Sequence, residues 1–147
     1  MKRRTFLSLC AITPIAGCAD SAPSGSLFGS SGTRIKNLRA TNHRSTAQTF
    51  HAKLSDGGET TYERTIEVPG LSDGVPGGTE FSEVPADPQT GQLTAYINDQ
   101  SKQEWKHLSF DEIEADCVKV KLIISHVDNE FGIWYTVDCK DPSDPRQ

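Results

Sequence analysis

The chain has one methionine, and it is Met1. A copper centre of the kind that joins a cysteine and two histidines to an axial methionine near the chain end therefore lacks a ligand. Its four histidines, His43, His51, His107 and His126, fall in four separate segments, with no HxH or HExxH spacing. Metal sites need several ligands converging at about 2 Å, and scattered histidines do not supply them. The sequence has no Gly-x-Ser-x-Gly elbow for a serine nucleophile and no glycine-rich loop opening a helix to cradle phosphate. It has no Asn-x-Ser/Thr acceptor for a glycan either. Basic residues are not in excess: 15 Lys and Arg stand against 20 Asp and Glu, for a net charge of −5. No apolar run approaches the roughly 20 residues that cross a bilayer. These absences leave no catalytic motif, and the expectation is a non-enzymatic domain without a cofactor.

The beginning of the chain carries the strongest positive signal. Lys2, Arg3 and Arg4 form a basic head before an apolar run from Phe6 to Gly17, about half a membrane span, which reads as a signal segment. Arg3-Arg4-Thr5-Phe6-Leu7 resembles the twin-arginine export motif, which delivers folded cargo. Lys2 stands where that pattern often has Ser or Thr. Ile15-Ala16-Gly17-Cys18 resembles a lipobox, in which small residues admit a peptidase and the cysteine becomes the lipidated N-terminus. Maturation at Cys18 leaves 147 − 17 = 130 residues with a charge of −5 − 3 = −8, because Lys2, Arg3 and Arg4 depart. So acidic a surface repels nucleic acid and anionic lipid head groups. The combination resembles the twin-arginine-exported surface lipoproteins of halophilic archaea. That resemblance covers the signal and lipobox only, and it implies a lipid-anchored protein on the outer face of the cell membrane.

Residues 18–32 after the cut are rich in Ser, Gly and Ala and read as a tether. Such a chain would hold a domain on the order of 20 Å from the lipid. From residue 33 to 139 the apolar period is two. Phe50, Ala52 and Leu54 alternate with polar neighbours, as do Tyr62–Val68, Leu93–Ile97, Val118–Ile124 and Phe131–Val137. Asp56-Gly57-Gly58, Pro69-Gly70, Pro76-Gly77-Gly78, Pro85 to Gly91 and Asp128-Asn129 supply turn chemistry between the runs. Further strands near Ile35–Ala40, Thr79–Val84 and Glu104–Leu108 bring the total to about eight, the pattern of an all-β two-sheet sandwich. Ser109 and Glu112 have capping-box spacing and predict one helical turn through Ala115. With that turn, and Trp105 as a candidate core tryptophan, the pattern resembles an immunoglobulin-like sandwich in architecture. The tail 140–147 is polar and reads as a disordered end.

A two-residue turn at Asp128-Asn129 would set Ile124 opposite Ile133, Leu122 opposite Tyr135, Val120 opposite Val137 and Val118 opposite Cys139. The outer face would pair Ile123 with Trp134, Lys121 with Thr136 and Lys119 with Asp138. Ile123 and Trp134 thus form a candidate interface. With Cys10 in the signal and Cys18 lipidated, Cys117 and Cys139 remain outside the cytoplasm, where paired cysteines form a disulfide. The two-residue turn leaves them one position out of step, so Cys117 is expected at or beyond the ladder's end. Asp111, Glu112, Glu114 and Asp116 are a weak candidate for a cation, without the glycine and spacing of a dedicated calcium loop. The reading is an anchored binding or accessory module with a protein or glycan partner. A solute- or cation-binding receptor subunit is the alternative, and a hydrolase is third.

Overall fold

A computed structural model describes residues 32–140 of the chain. Eight strands form two four-stranded sheets packed face to face, so the fold is an all-β two-sheet sandwich. The strands are β1 (Arg34–Asn42), β2 (Gln48–Asp56), β3 (Glu59–Val68), β4 (Gly77–Glu80), β5 (Gln92–Ile97), β6 (Lys106–Ser109), β7 (Cys117–Ile124) and β8 (Phe131–Thr136). One sheet runs β4-β1-β7-β8 and the other β3-β2-β5-β6. β1 lies parallel to β7 and every other pairing is antiparallel. The likeness to an immunoglobulin domain is one of layers. The hairpins β2–β3 and β5–β6 share one sheet here.

Alternation builds the core. Leu38 and Ala40 of β1 and Val118, Val120, Leu122 and Ile124 of β7 face Phe50, Ala52 and Leu54 of β2 and Leu93, Ala95 and Ile97 of β5. A bulge between Ile35 and Asn37 shifts the register, which is how Ile35 and Leu38, three positions apart, both turn inward. Phe50 and Phe131 close one end edge to face, their centroids 6.0 Å apart. The β2–β3 hairpin turns on Gly57 and Gly58, whose φ values of 55° and 84° suit a tight hairpin and are costly for other residues. No helix among the described residues is long and apolar enough to cross a membrane.

Several local expectations shift. The β7–β8 ladder pairs Leu122 with Ile133, Val120 with Tyr135 and Ile124 with Phe131, two residues out from the predicted register. The turn is longer than two residues: Ser125 N donates to Glu130 O at 2.9 Å, and the left-handed φ of 57° falls on Asn129. Because the slip is even, the alternation of faces is kept, but Tyr135, expected inward, is exposed near the end of this edge strand. β8 ends at Thr136, so Val137 and Cys139 lie outside the ladder and Val137 is exposed. Cys117 opens β7 opposite Arg34 of β1 and, as expected, lies beyond the β7–β8 ladder, which begins at Lys119. β4 occupies Gly77–Glu80 rather than 79–84, since Phe81 leaves the strand for the core and Glu83 takes a positive φ. The Ser109–Glu112 box does not close, although a short 3-10 turn does form at Phe110–Glu112. Ser109 is held in the β6 ladder opposite Gln92, and the next residue, Phe110, is drawn into the core. The same spacing does close at Ser101–Glu104, where Glu104 Oε2 accepts from Ser101 N at 3.0 Å and from Ser101 Oγ at 2.8 Å. Those hydrogen bonds hold the Glu104 carboxyl below its ordinary pKa.

Candidate functional site

Arg3, Arg4, Phe6, Leu7 and Cys18 lie outside the described residues. Cys117 and Cys139 are at disulfide distance, with Cα atoms 6.2 Å apart. Among the described residues no group of three or more His, Cys, Asp and Glu is placed to hold a metal ion, so Asp111, Glu112, Glu114 and Asp116 do not converge.

The outer face of β1, β7 and β8 carries a groove of about 350 Å³, lined by Asn37, Arg39, Lys119, Lys121, Trp134 and Thr136 among others. Trp134 is 62% exposed. Its cross-strand partner is Lys121, while Ile123 lies opposite Gly132, so the predicted Ile123–Trp134 pair is diagonal rather than direct. Gly132 shapes this corner. A Cβ there would lie 3.5 Å from Trp134 Nε1 and 3.7 Å from Cδ1, so the pyrrole edge of the indole leans over the bare glycine. Arg39 stretches across Gly78 on β4. In register it faces Glu80, but that carboxylate accepts from Asn37 Nδ2 at 3.0 Å. Lys119 Nζ reaches the carbonyl of Lys140 at 3.3 Å.

The opposite outer face carries a row of rings that sequence reading missed. His51 stacks on Tyr96 and Tyr96 on Trp105, each at 4.3 Å and within 10° of parallel. Lys102 Nζ lies 5.9 Å from the centre of the Trp105 ring. Trp105 is therefore not a core residue; its Nε1 donates to Gln100 O at 3.2 Å at the sheet's rim. Alternation already assigned His51 and Tyr96 to the outer face; the missing information was that β2 pairs with β5 and puts them opposite one another. His51 Nδ1 is 2.8 Å from Thr65 Oγ1. Burial among these neighbours lowers the His51 pKa, with Asp99 and Glu63 opposing the shift. His107 Nδ1 and Thr94 Oγ1 are likewise 3.0 Å apart. Both Thr–His pairs stand on the outer face of their sheet.

Four loops meet at one end of the sandwich: 43–47, 69–76, 98–105 and 125–130. Asn42, fully buried, donates through Nδ2 to the carbonyls of Thr46 at 2.9 Å and Pro69 at 3.1 Å, and its Oδ1 accepts from Arg44 N at 2.9 Å. Arg44 then bonds Gln48 Oε1 at 3.1 Å and Asn129 O at 3.0 Å, and Asn98 Nδ2 reaches the same Gln48 oxygen at 2.6 Å. His43 and His126 approach across this end, their ring centroids 5.5 Å apart. Asp128 accepts from Glu130 N at 3.0 Å, which keeps its carboxyl below the ordinary range. This web ties the four loops together along one rim.

No protein-family model matches the chain, and no curated protein matches it.

Proposed function

We propose that this protein is a lipid-anchored, non-catalytic module on the outer face of a cell membrane, and that it engages a surface partner through the face bearing Trp134. The observation that carries the binding face is Trp134 itself: a tryptophan 62% exposed beside a groove of about 350 Å³. Large aromatic side chains left open at a groove are the residues that dominate interfaces when truncated. The anchor reading rests on the twin-arginine motif and on Cys18 in its lipobox setting. Thr33 and Cys139 both lie at the end of the sandwich away from the four loops. A tether from Cys18 would therefore enter the domain at the end opposite the loop rim and leave that rim and both sheet faces open.

Affinity capture from the native membrane tests the binding face. The intact protein and a Trp134→Ala variant are purified from the same cells and their companions identified by mass spectrometry. A partner held by the native chain and lost with Trp134→Ala is the expected result. Equal recovery with both would remove this face as the site.

A further inference from the structure

We propose that the groove beside Trp134 binds an acidic polysaccharide, a sugar chain bearing carboxylate or sulfate groups. The inference rests on the binding face proposed above and names its ligand class. The first ground is charge. Arg39, Lys119 and Lys121 line one groove, and none of them forms an ion pair; the ion pair among the described residues is Arg64–Glu83. On a chain of net charge −5, three cations with no ion-pair partner among the described residues, against one neighbouring carboxylate, Glu80, that Asn37 already engages, make this face locally positive.

The second ground is the indole. On the opposite sheet the rings of His51, Tyr96 and Trp105 use their faces on one another at 4.3 Å, which leaves little ring face for a ligand. Trp134 takes part in no such stack, and its pyrrole edge leans over Gly132. It therefore has ring surface to offer to the apolar C–H face of a sugar. Asn37 and Thr136 beside it can bond hydroxyl groups.

The third ground is direction. The groove runs over β1 and β7, whose backbone groups are paired on both sides, and out to β8, the edge strand of the sheet. An extended peptide gains its main-chain bonds by lying parallel to such an edge, whereas this groove crosses the strands. A sugar chain needs only side-chain donors, cations and an open ring, which are the groups present.

The full-length chain, purified from membranes in a neutral detergent, is titrated with alginate, dextran sulfate, uncharged dextran and polyglutamate. Alginate or dextran sulfate should bind, more weakly as salt is raised, while dextran should not. Trp134→Ala should weaken the acidic polysaccharide about thirtyfold, the loss typical of a truncated aromatic anchor. The melting temperature should stay unchanged, because the side chain is exposed. Lys119→Gln with Lys121→Gln should flatten the salt dependence. Polyglutamate binding as tightly as the polysaccharides would overturn the proposal in favour of an acidic protein segment. Dextran binding as tightly would remove the charge argument. No binding by any of the four would also overturn the ligand class. The binding face would still stand if membrane capture of a partner remained sensitive to Trp134→Ala.

Discussion

Asn42 shows how one buried amide can organise a surface it does not reach. Its donors satisfy carbonyls from the 43–47 and 69–76 loops, and its oxygen fixes Arg44, which reaches on to the 125–130 loop. An aspartate would fit the same space, but at neutral pH its carboxylate would face those carbonyls with no proton to share. Leaving buried polar groups unpaired costs about 1–3 kcal/mol each. Asn42→Asp is therefore expected to lose about 3 kcal/mol at pH 7, a fall in melting temperature of roughly 10 °C for a domain of this size. The sign with pH is fixed: burial among acceptors raises the folded pKa of the new carboxyl, so stability should recover as pH falls and the protonated form regains a donor. Thermal melts at pH 7 and pH 5 check it. A variant as stable as the native chain at both would show that the rim does not depend on this amide.

At the scale of elements, β7 and β8 carry the next prediction. Cys117 opens β7 and Cys139 lies three residues past the end of β8, so a bond between them closes the hairpin at its open end. Closing a loop with a sequence separation of 22 is worth about 3 kcal/mol in the chain-entropy model. The native exported protein should show no free thiol when denatured without reductant, and reduction should lower its melting temperature by several degrees. Two reactive thiols would remove the bond.

The same hairpin marks where reading the sequence stops. The period of two locates β2, β3, β5, β7 and β8, because each buries one face and the alternation is local, whereas the short β4 is expected two residues late. It also assigns the faces of Trp134, Lys119 and Lys121 correctly. The exact partners are not local. The register of β8 depended on the length of the 125–130 connection, where Asp128-Asn129 gave the stronger turn signal but the loop closed at Ser125 and Glu130. The parallel pairing of β1 with β7 joins residues some eighty positions apart, and no short-range pattern encodes it. The groove is a product of that pairing, since Arg39 meets Lys119 and Lys121 only once β1 lies beside β7. Trp134 was visible as an outer-face aromatic, whereas the cations around it were visible only as charges on separate strands.

At the scale of the whole molecule, export, anchoring and topology impose conditions on one another. A twin-arginine route carries cargo that has already folded, in a compartment where thiols stay reduced. On the export route proposed for this chain, the sandwich would fold without the Cys117–Cys139 bond. The structure is compatible with that order, since neither cysteine belongs to the core and Cys139 lies outside the ladder, where it can be joined late without reopening a sheet. The double variant Cys117→Ala with Cys139→Ala should therefore still be exported and lipidated, though less stable. Arg3-Arg4→Lys-Lys should trap the precursor inside the cell. Cys18→Ser should release the protein into the medium or leave it as uncleaved precursor. Fractionation with immunoblotting reads all three variants. A Cys18→Ser protein that remains membrane-bound at the mature mass would sink the lipid anchor. A double cysteine variant held in the cytoplasm, with the native chain exported, would show that folding before export depends on the bond after all.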